Sequence, residues 1–146
     1  MQALGTLNLW QLAIKPGKPF AYGQVRRVDA AAGACHFMGL PGNPVSSFVT
    51  FLLLVRPFVL ALQGVKQTEI VRTELTAHFD WPRADKRREF LRVRRNSQGG
   101  LDLFPNQSSG VLTSAVWGDG VVDNPAGQSI AYGDTLRFIS FAEWLA

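Results

Sequence analysis

The chain has 146 residues, of which 47% are hydrophobic and 18% charged, and it carries a formal net charge of +4. A chain of this length and composition can bury a core in one ordinary domain or two small ones, which excludes a disordered or low-complexity protein. The positive excess lies in residues 1–65, so anionic partners are plausible for that part of the chain.

Targeting and redox signals are sparse. Cys35 is the single cysteine, so no internal disulfide is possible, and we expect a reducing, cytoplasmic environment in which Cys35 is a core residue. The N-terminal MQALGTLNLW has no basic and apolar leader regions, and no signal peptide is expected. The longest apolar run is interrupted by Arg56 and Pro57, which favours a core helix over a membrane span.

Residues 1–65 are predicted to combine strands with one helix. The first strands alternate with turns, and the run CHFMGL is continuously apolar, as buried parallel strands tend to be. The predicted elements are a strand over 9–14, a rigid turn over 15–19, a strand over 20–26, a loop over 28–34 and a buried parallel strand over 35–40.

A helix is predicted over 44–62, because apolar residues recur there at helical spacing. Pro57 should kink or divide it, and Gly64 is placed to end it.

The second part of the chain, residues 66–146, has the texture of a small β domain, with short alternating runs between turn residues. In EFLRVRRN, Phe90 and Arg92 share one face of a predicted strand. The predicted elements are strands at 69–79, 89–96, 101–105, 120–125 and 135–141, a hairpin between the second and third, a loop at 105–110 and one or two helical turns at 111–117.

The stretch GLPGNPVSS, residues 39–47, predicts an anion cradle at the start of the helix. Asn43 is expected to cap the helix through its side-chain oxygen, and Pro44 fits the first helical position. The N–H groups that follow, together with the helix dipole, favour an anion. The further cradle residues are Pro41, which stiffens the approach, Gly42, which leaves room for a ligand, and Val45, Ser46 and Ser47, which donate. A simple helix cap is the alternative interpretation.

The turn KPGKP supplies the second half of the predicted site. Two prolines around a glycine hold Lys15 and Lys18 in a fixed relation, and loops at strand ends of an α/β sheet lie near helix N-termini. Either lysine could face the anion, although two solvated lysines on a turn would look the same. Walker and dinucleotide-binding motifs are absent from the sequence, and its histidines and cysteine predict no metal site.

The basic segment DKRREFLRVRRN at 85–96 has three interpretations. The simplest is a solvated strand face. In the second, Arg92 or Arg94 faces a ligand site. Nucleic-acid binding is disfavoured, because Phe90 is the only aromatic side chain among the arginines.

Five stretches resemble one family, the molybdopterin molybdenumtransferases of the MoeA/gephyrin type, over its C-terminal part. They are LAIKPGKPFAYG at 12–23, FMGLPGNPVSSFVTFLLLVRPFVLAL at 37–62, RREFLRV at 87–93, PNQSSGVLTSAVWGDGVV at 105–122 and GDTLRFISF at 133–141. The resemblance implies a partial MogA/MoaB-like α/β domain at 1–65 followed by a small β-barrel-like domain at 66–146.

The resemblance also implies the site. Lys15, Pro41 and Pro44 match positions where the family inserts molybdate into adenylated molybdopterin with release of AMP. Arg92 and Ser109 match positions that border the cleft. Two departures stand out: Gln11 replaces a lysine that many members have, and Ser108 replaces a glycine.

Mg²⁺ is implied as a cofactor, with ligands in family segments that have no counterpart here. The resemblance further implies a homodimer and a MogA-like adenylyltransferase as a partner, and no turnover by these residues alone. A non-catalytic, gephyrin-like dimerisation or interaction module is the alternative function.

Overall fold

The structure is a computed structural model that describes residues 5–29 and 33–146. Its strands are β1 (Gly5–Gln11), β2 (Ile14–Lys15), β3 (Pro19–Arg26), β4 (Ala34–Gly39), β5 (Thr73–Ala77), β6 (Arg88–Arg95), β7 (Gly100–Leu103), β8 (Gly120–Asn124) and β9 (Thr135–Ser140). Its helices are α1 (Pro44–Thr50), a π-helical stretch (Phe51–Val55), α2 (Arg56–Leu62), α3 (Thr113–Trp117) and α4 (Phe141–Leu145).

The first sheet is a three-stranded antiparallel sheet in the order β1-β3-β4. The expectation of a parallel, buried strand at 35–40 is therefore wrong: β4 follows β3 after a short connection, which suits antiparallel pairing. The prediction that Cys35 is a core residue is also wrong, because its side chain is exposed on β4. Part of the predicted loop, residues 30–32, lies outside the described residues.

The predicted strand over 9–14 is divided in the structure. β1 ends at Gln11, and Ile14 and Lys15 leave the first sheet to pair in parallel with Arg88 and Glu89 of β6. This crossing carries the KPGKP turn to the second sheet, which brings Lys15 beside the β domain.

The long helix runs from Pro44 to Leu62 and is divided near Pro57, as predicted. Pro57 has no N–H to donate, and the turns that precede it widen into the π-helical stretch. Gly64 ends the helix with a φ of 85°. Its N–H donates to Ala61 O at 3.0 Å and the N–H of Val65 donates to Leu60 O at 3.0 Å, which is the Schellman arrangement.

The second sheet closes into a small barrel, which confirms the prediction of a β-barrel-like domain. The strands follow the order β6-β7-β5-β9-β8, and β8 pairs back to β6 to complete the ring. The hairpin between β6 and β7 is present as predicted. The barrel interior is filled by the buried side chains Ala77, Leu91, Val93, Leu101, Val122, Ile130, Leu136 and Phe138.

The helix packs on the outside of this barrel. One hydrophobic cluster joins Val45, Val49 and Leu52 of the helix to barrel and α4 side chains that include Phe90 and Trp144. By length and mean hydropathy, Pro44–Leu62 is the one candidate membrane span among the described residues, a test that core helices also pass. The division of the chain into two domains at residue 65 stays a prediction. The cluster contains residues from both sides of that position.

Candidate functional site

A cleft of about 480 Å³ lies where three segments of the chain meet. The KPGKP turn forms one wall, the start of the helix a second and the loop at 107–109 a third. The lining side chains and backbone belong to Lys15, Pro16, Gly17, Lys18, Pro19, Pro41, Gly42, Asn43, Ser46, Arg87, Gln107, Ser108 and Ser109. The structure thus brings together most of the site residues that the sequence predicted, although they lie up to about 90 positions apart.

The start of the helix differs from the predicted cap. Asn43 precedes the helix with extended backbone and Pro44 takes the first helical position, as expected. The prediction that the Asn43 side-chain oxygen caps the helix is wrong. Its amide nitrogen instead donates to Ser109 Oγ at 2.9 Å, because the loop at 107–109 lies directly against the helix start.

Two of the three expected cradle donors are already engaged. The N–H of Val45 donates to Ser109 O at 3.2 Å, and the N–H of Ser47 donates to Asn43 O at 2.8 Å. The Ser47 hydroxyl donates to Pro41 O. The Val45 side chain is fully buried in the core, whereas Ser46, which is 3% exposed, lines the cleft. Ser46 therefore remains as the cradle residue whose hydroxyl has no hydrogen-bond partner in the described part of the chain.

Lys15 is held by two carboxylates, one on β6 and one just before it. Its Nζ lies 3.2 Å from Asp85 Oδ2 and 3.3 Å from Glu89 Oε1. Glu89 is almost fully buried, and its other oxygen accepts from Trp81 Nε1 at 2.9 Å. Oε1 faces Lys15 without the angles of a hydrogen bond, so the attraction there is that of an ion pair. Lys15 reaches the cleft, but its charge is largely balanced from behind.

Arg87 is a cleft residue that the sequence analysis did not single out. Its Nε and Nη2 donate to the two oxygens of Asp85, each at 3.1 Å, and its backbone N–H donates to Asp85 Oδ1 at 2.9 Å. These hydrogen bonds, with help from Lys15, hold the pKa of the Asp85 carboxyl well below its usual range despite the opposing effect of burial. In the sequence, the D-x-R spacing of DKR was the one feature that could have indicated this contact between Arg87 and Asp85.

Arg92 does not line the cleft of the described residues, and the expectation that it borders the substrate cleft stays a prediction. Its side chain is 1% exposed, beneath the loop. The guanidinium donates to Phe90 O at 3.1 Å, Ser114 Oγ at 3.1 Å and Ser108 O at 3.3 Å. Burial lowers its pKa to about 10, which leaves it protonated at neutral pH. Arg92 therefore supports the loop from below.

Gln107 fixes the same loop from the other end. Its Oε1 accepts the N–H of Arg92 at 2.9 Å, while Nε2 donates to Arg92 O at 2.9 Å and to Phe104 O at 2.8 Å. One side-chain amide thus bonds both backbone groups of Arg92, and the Arg92 carbonyl also accepts the N–H of Phe104 at 3.1 Å. Gln107 was not predicted, because a glutamine in a loop gives no sequence signal of such a role.

The other arginines of the basic segment are engaged away from the cleft. Arg88 pairs with the buried Asp123, which also binds Arg72. Burial raises the pKa of Asp123, but hydrogen bonds from the two guanidinium groups outweigh burial and lower it overall. Arg94 lies over the Trp117 ring at 4.4 Å, and Arg95 pairs with Asp119.

The residues present do not form a divalent-metal site. No group of three His, Cys, Asp or Glu side chains that could hold a metal occurs within 5–29 and 33–146. Asp85 and Glu89, the carboxylates nearest the cleft, are directed at cationic side chains.

Comparisons with known proteins point to one family. The MoeA C-terminal region (domain IV) matches residues 74–141. A molybdopterin molybdenumtransferase of Haemophilus influenzae is 49% identical over 67 residues, which are 46% of this chain and 15% of that protein. The molybdenum cofactor synthesis protein cinnamon of Drosophila melanogaster is 36% identical over 127 residues, 82% of this chain and 20% of that protein.

Solved structures agree over nearly the whole chain. A molybdopterin biosynthesis MoeA protein from Pyrococcus horikosii superimposes with a TM-score of 0.74 at 28% identity, covering 96% of this chain and 33% of that one. A molybdenum cofactor biosynthesis protein from Pyrococcus furiosus gives 0.68 at 25% identity, covering 92% and 46%. The chain therefore spans less than half the length of each of these relatives.

Proposed function

We propose that this chain, which matches the C-terminal part of the MoeA-type molybdopterin molybdenumtransferases, acts in molybdenum cofactor biosynthesis. The observation that carries the proposal is the cleft itself. It joins the KPGKP turn, the LPGNP helix start and the Gln107–Ser109 loop, which are the segments that resemble the family's site.

The reaction we assign to the whole protein is insertion of molybdate into adenylated molybdopterin with release of AMP. Molybdate is a tetrahedral dianion and the adenylate carries phosphate charge, so the reaction needs positioned donors and positive potential. Lys18 and Arg87 supply charge at the cleft, and Ser46 and the backbone at Gly42 supply hydrogen-bonding groups.

The chain's share of that reaction is the binding surface. Ser109 joins the loop to the helix start through both its carbonyl and its hydroxyl, so two walls of the cleft are hydrogen-bonded to each other. Mg²⁺ remains part of the proposal for the whole protein, with ligands outside these residues. Because the chain spans 15 to 32% of its curated relatives, we expect no turnover by the 146 residues alone.

An equilibrium titration with tungstate, which has nearly the shape and charge of molybdate, tests this function. The parent protein should bind tungstate, and Lys18→Gln should weaken binding about 10-fold through loss of a charged donor. Lys66→Gln removes the same charge at an exposed position outside the cleft and should change affinity less than about twofold. Equal losses in the two variants would mean that general charge, and not the cleft, binds the anion.

A second candidate function is a dimerising interaction module, which exposed apolar side chains favour. Trp10 stacks on Phe20 and Tyr22 along the first sheet but remains 46% exposed, and Leu9 and Leu62 are 73% and 60% exposed. Light scattering after size-exclusion chromatography tests it. If the protein binds tungstate and is monomeric across the micromolar range, the interaction-module function is wrong and only the transferase function remains.

A further inference from the structure

The cations around the cleft are not equivalent. Lys15 has two carboxylates within 3.3 Å, Arg87 shares one carboxylate, and Lys18 has no ion pair in the described residues. Three cations against two carboxylates leave one net positive charge at the cleft. An entering anion is therefore expected to bind the side chain that keeps hydrogen-bond donors free.

Arg87, which lines the cleft, keeps free donors because of the way Asp85 binds it. A guanidinium offers two edges that can each hold an oxyanion by two parallel hydrogen bonds. Asp85 occupies the edge formed by Nε and Nη2, at 3.1 Å for each bond. The edge formed by Nη1 and Nη2 is left, and Nη1 makes no hydrogen bond within the residues that the structure describes.

Two other arginines of the segment, Arg88 and Arg92, lack this combination. Arg92 is buried and uses Nε, Nη1 and Nη2 on Ser114, Phe90 and Ser108, respectively. Arg88 also holds a carboxylate by two hydrogen bonds, but its partner is Asp123 and it does not line the cleft. Arg87 alone among the three combines a fixed orientation, an open edge and a place in the cleft wall.

We propose that Arg87, oriented by Asp85, is a direct oxyanion-binding residue of this cleft. This inference rests on the proposed function, because it assigns a further contact to the same site. The open edge suits the tetrahedral oxyanion or the phosphate group of the substrate equally, since both present two oxygens at a similar spacing.

Tungstate titration of Arg87 variants by calorimetry tests the inference. Arg87→Gln should weaken tungstate binding about 10-fold or more, which is the loss of a charge-assisted contact. Arg87→Lys keeps the charge but not the two-donor edge of the guanidinium, and its tungstate affinity should still fall at least about threefold. The matched control is Arg83→Gln. Arg83 is exposed, lies in the same connection between β5 and β6 as Arg87, and does not line the cleft. This substitution should change tungstate affinity less than about twofold.

The outcomes separate the inference from the function on which it rests. If the parent binds tungstate and Arg87→Gln binds like Arg83→Gln, the role of Arg87 is wrong and the cleft stands. If the parent does not bind tungstate, both fall. Should Arg87→Gln not fold, the affinity of Arg87→Lys decides: full parental affinity would overturn a role for the guanidinium fork.

Discussion

At the scale of single residues, the site is governed by where each charge finds its partner. Asp85 connects Lys15 and Arg87, and Glu89 completes the group from the barrel side. The sequence indicated cationic side chains near the cradle, but it could not show that carboxylates 70 or more positions from Lys15 would balance one of them. Asn43 and Arg92 show the same dependence on distant residues, because the side chain of each donates a hydrogen bond to the loop at 107–109.

Asp85 should make stability depend on pH in the acid range. Its pKa in the folded protein lies below the ordinary value of 3.8, so the unfolded chain takes up a proton first as the pH falls. The stabilisation is therefore complete at neutral pH and is lost as the pH falls below 3.8 toward the folded-state pKa.

Asp85→Asn, which cannot make the ion pairs, should lower the free energy of unfolding by about 1 kcal/mol at pH 7. The difference from the parent should shrink between pH 7 and about pH 3, as measured by urea denaturation at each pH. A difference that stays constant over this range would contradict the ion-pair account of Asp85.

At the scale of elements, local patterns predicted the helix, its interruption and its end, and most barrel strands. These features depend on nearby residues: Pro57 lacks an N–H, and Gly64 can adopt a positive φ. Strand direction was not predictable in the same way. The apolar run at 35–40 suits any strand with two covered faces, and only the connection from β3 makes it antiparallel.

Gly64→Ala tests the helix end. Nothing lies within 4 Å of an added Cβ, so the cost comes from the φ of 85° alone. We expect a loss of about 1 kcal/mol in the free energy of unfolding.

Gly110→Ala is the matched control, since its surroundings are equally open and its φ is not positive. It should change stability by less than about 0.5 kcal/mol. Equal effects of the two substitutions in chemical denaturation would mean that the Schellman end contributes nothing.

At the scale of the whole molecule, the helix and the barrel share a hydrophobic cluster, and the cleft lies next to that contact. The sequence indicated a strand-and-helix part before residue 65 and a β-rich part after it, but it did not indicate how the two parts pack together. The reason is physical: Val45, Val49 and Leu52 read as one face of a helix, and nothing local shows which surface covers that face. The cleft is a product of this packing.

Leu52→Ala should therefore weaken the helix and the barrel together. Leu52 is fully buried, and its truncation should lower the free energy of unfolding by about 3 kcal/mol. Circular dichroism and tryptophan fluorescence should report one coincident transition. Leu62→Ala, which changes a side chain that is 60% exposed on the same helix, should have little effect. Two separate transitions in the parent would show instead that the parts on either side of residue 65 unfold independently.

The most direct test of the central claim is the position of tungstate in crystals of this protein, located by its anomalous scattering. The account predicts a peak in the cleft, within hydrogen-bonding distance of Ser46 or the Arg87 guanidinium and near Lys18. A peak only among exposed arginines such as Arg94 and Arg95, or no peak at all, would contradict the claim that this cleft binds an oxyanion.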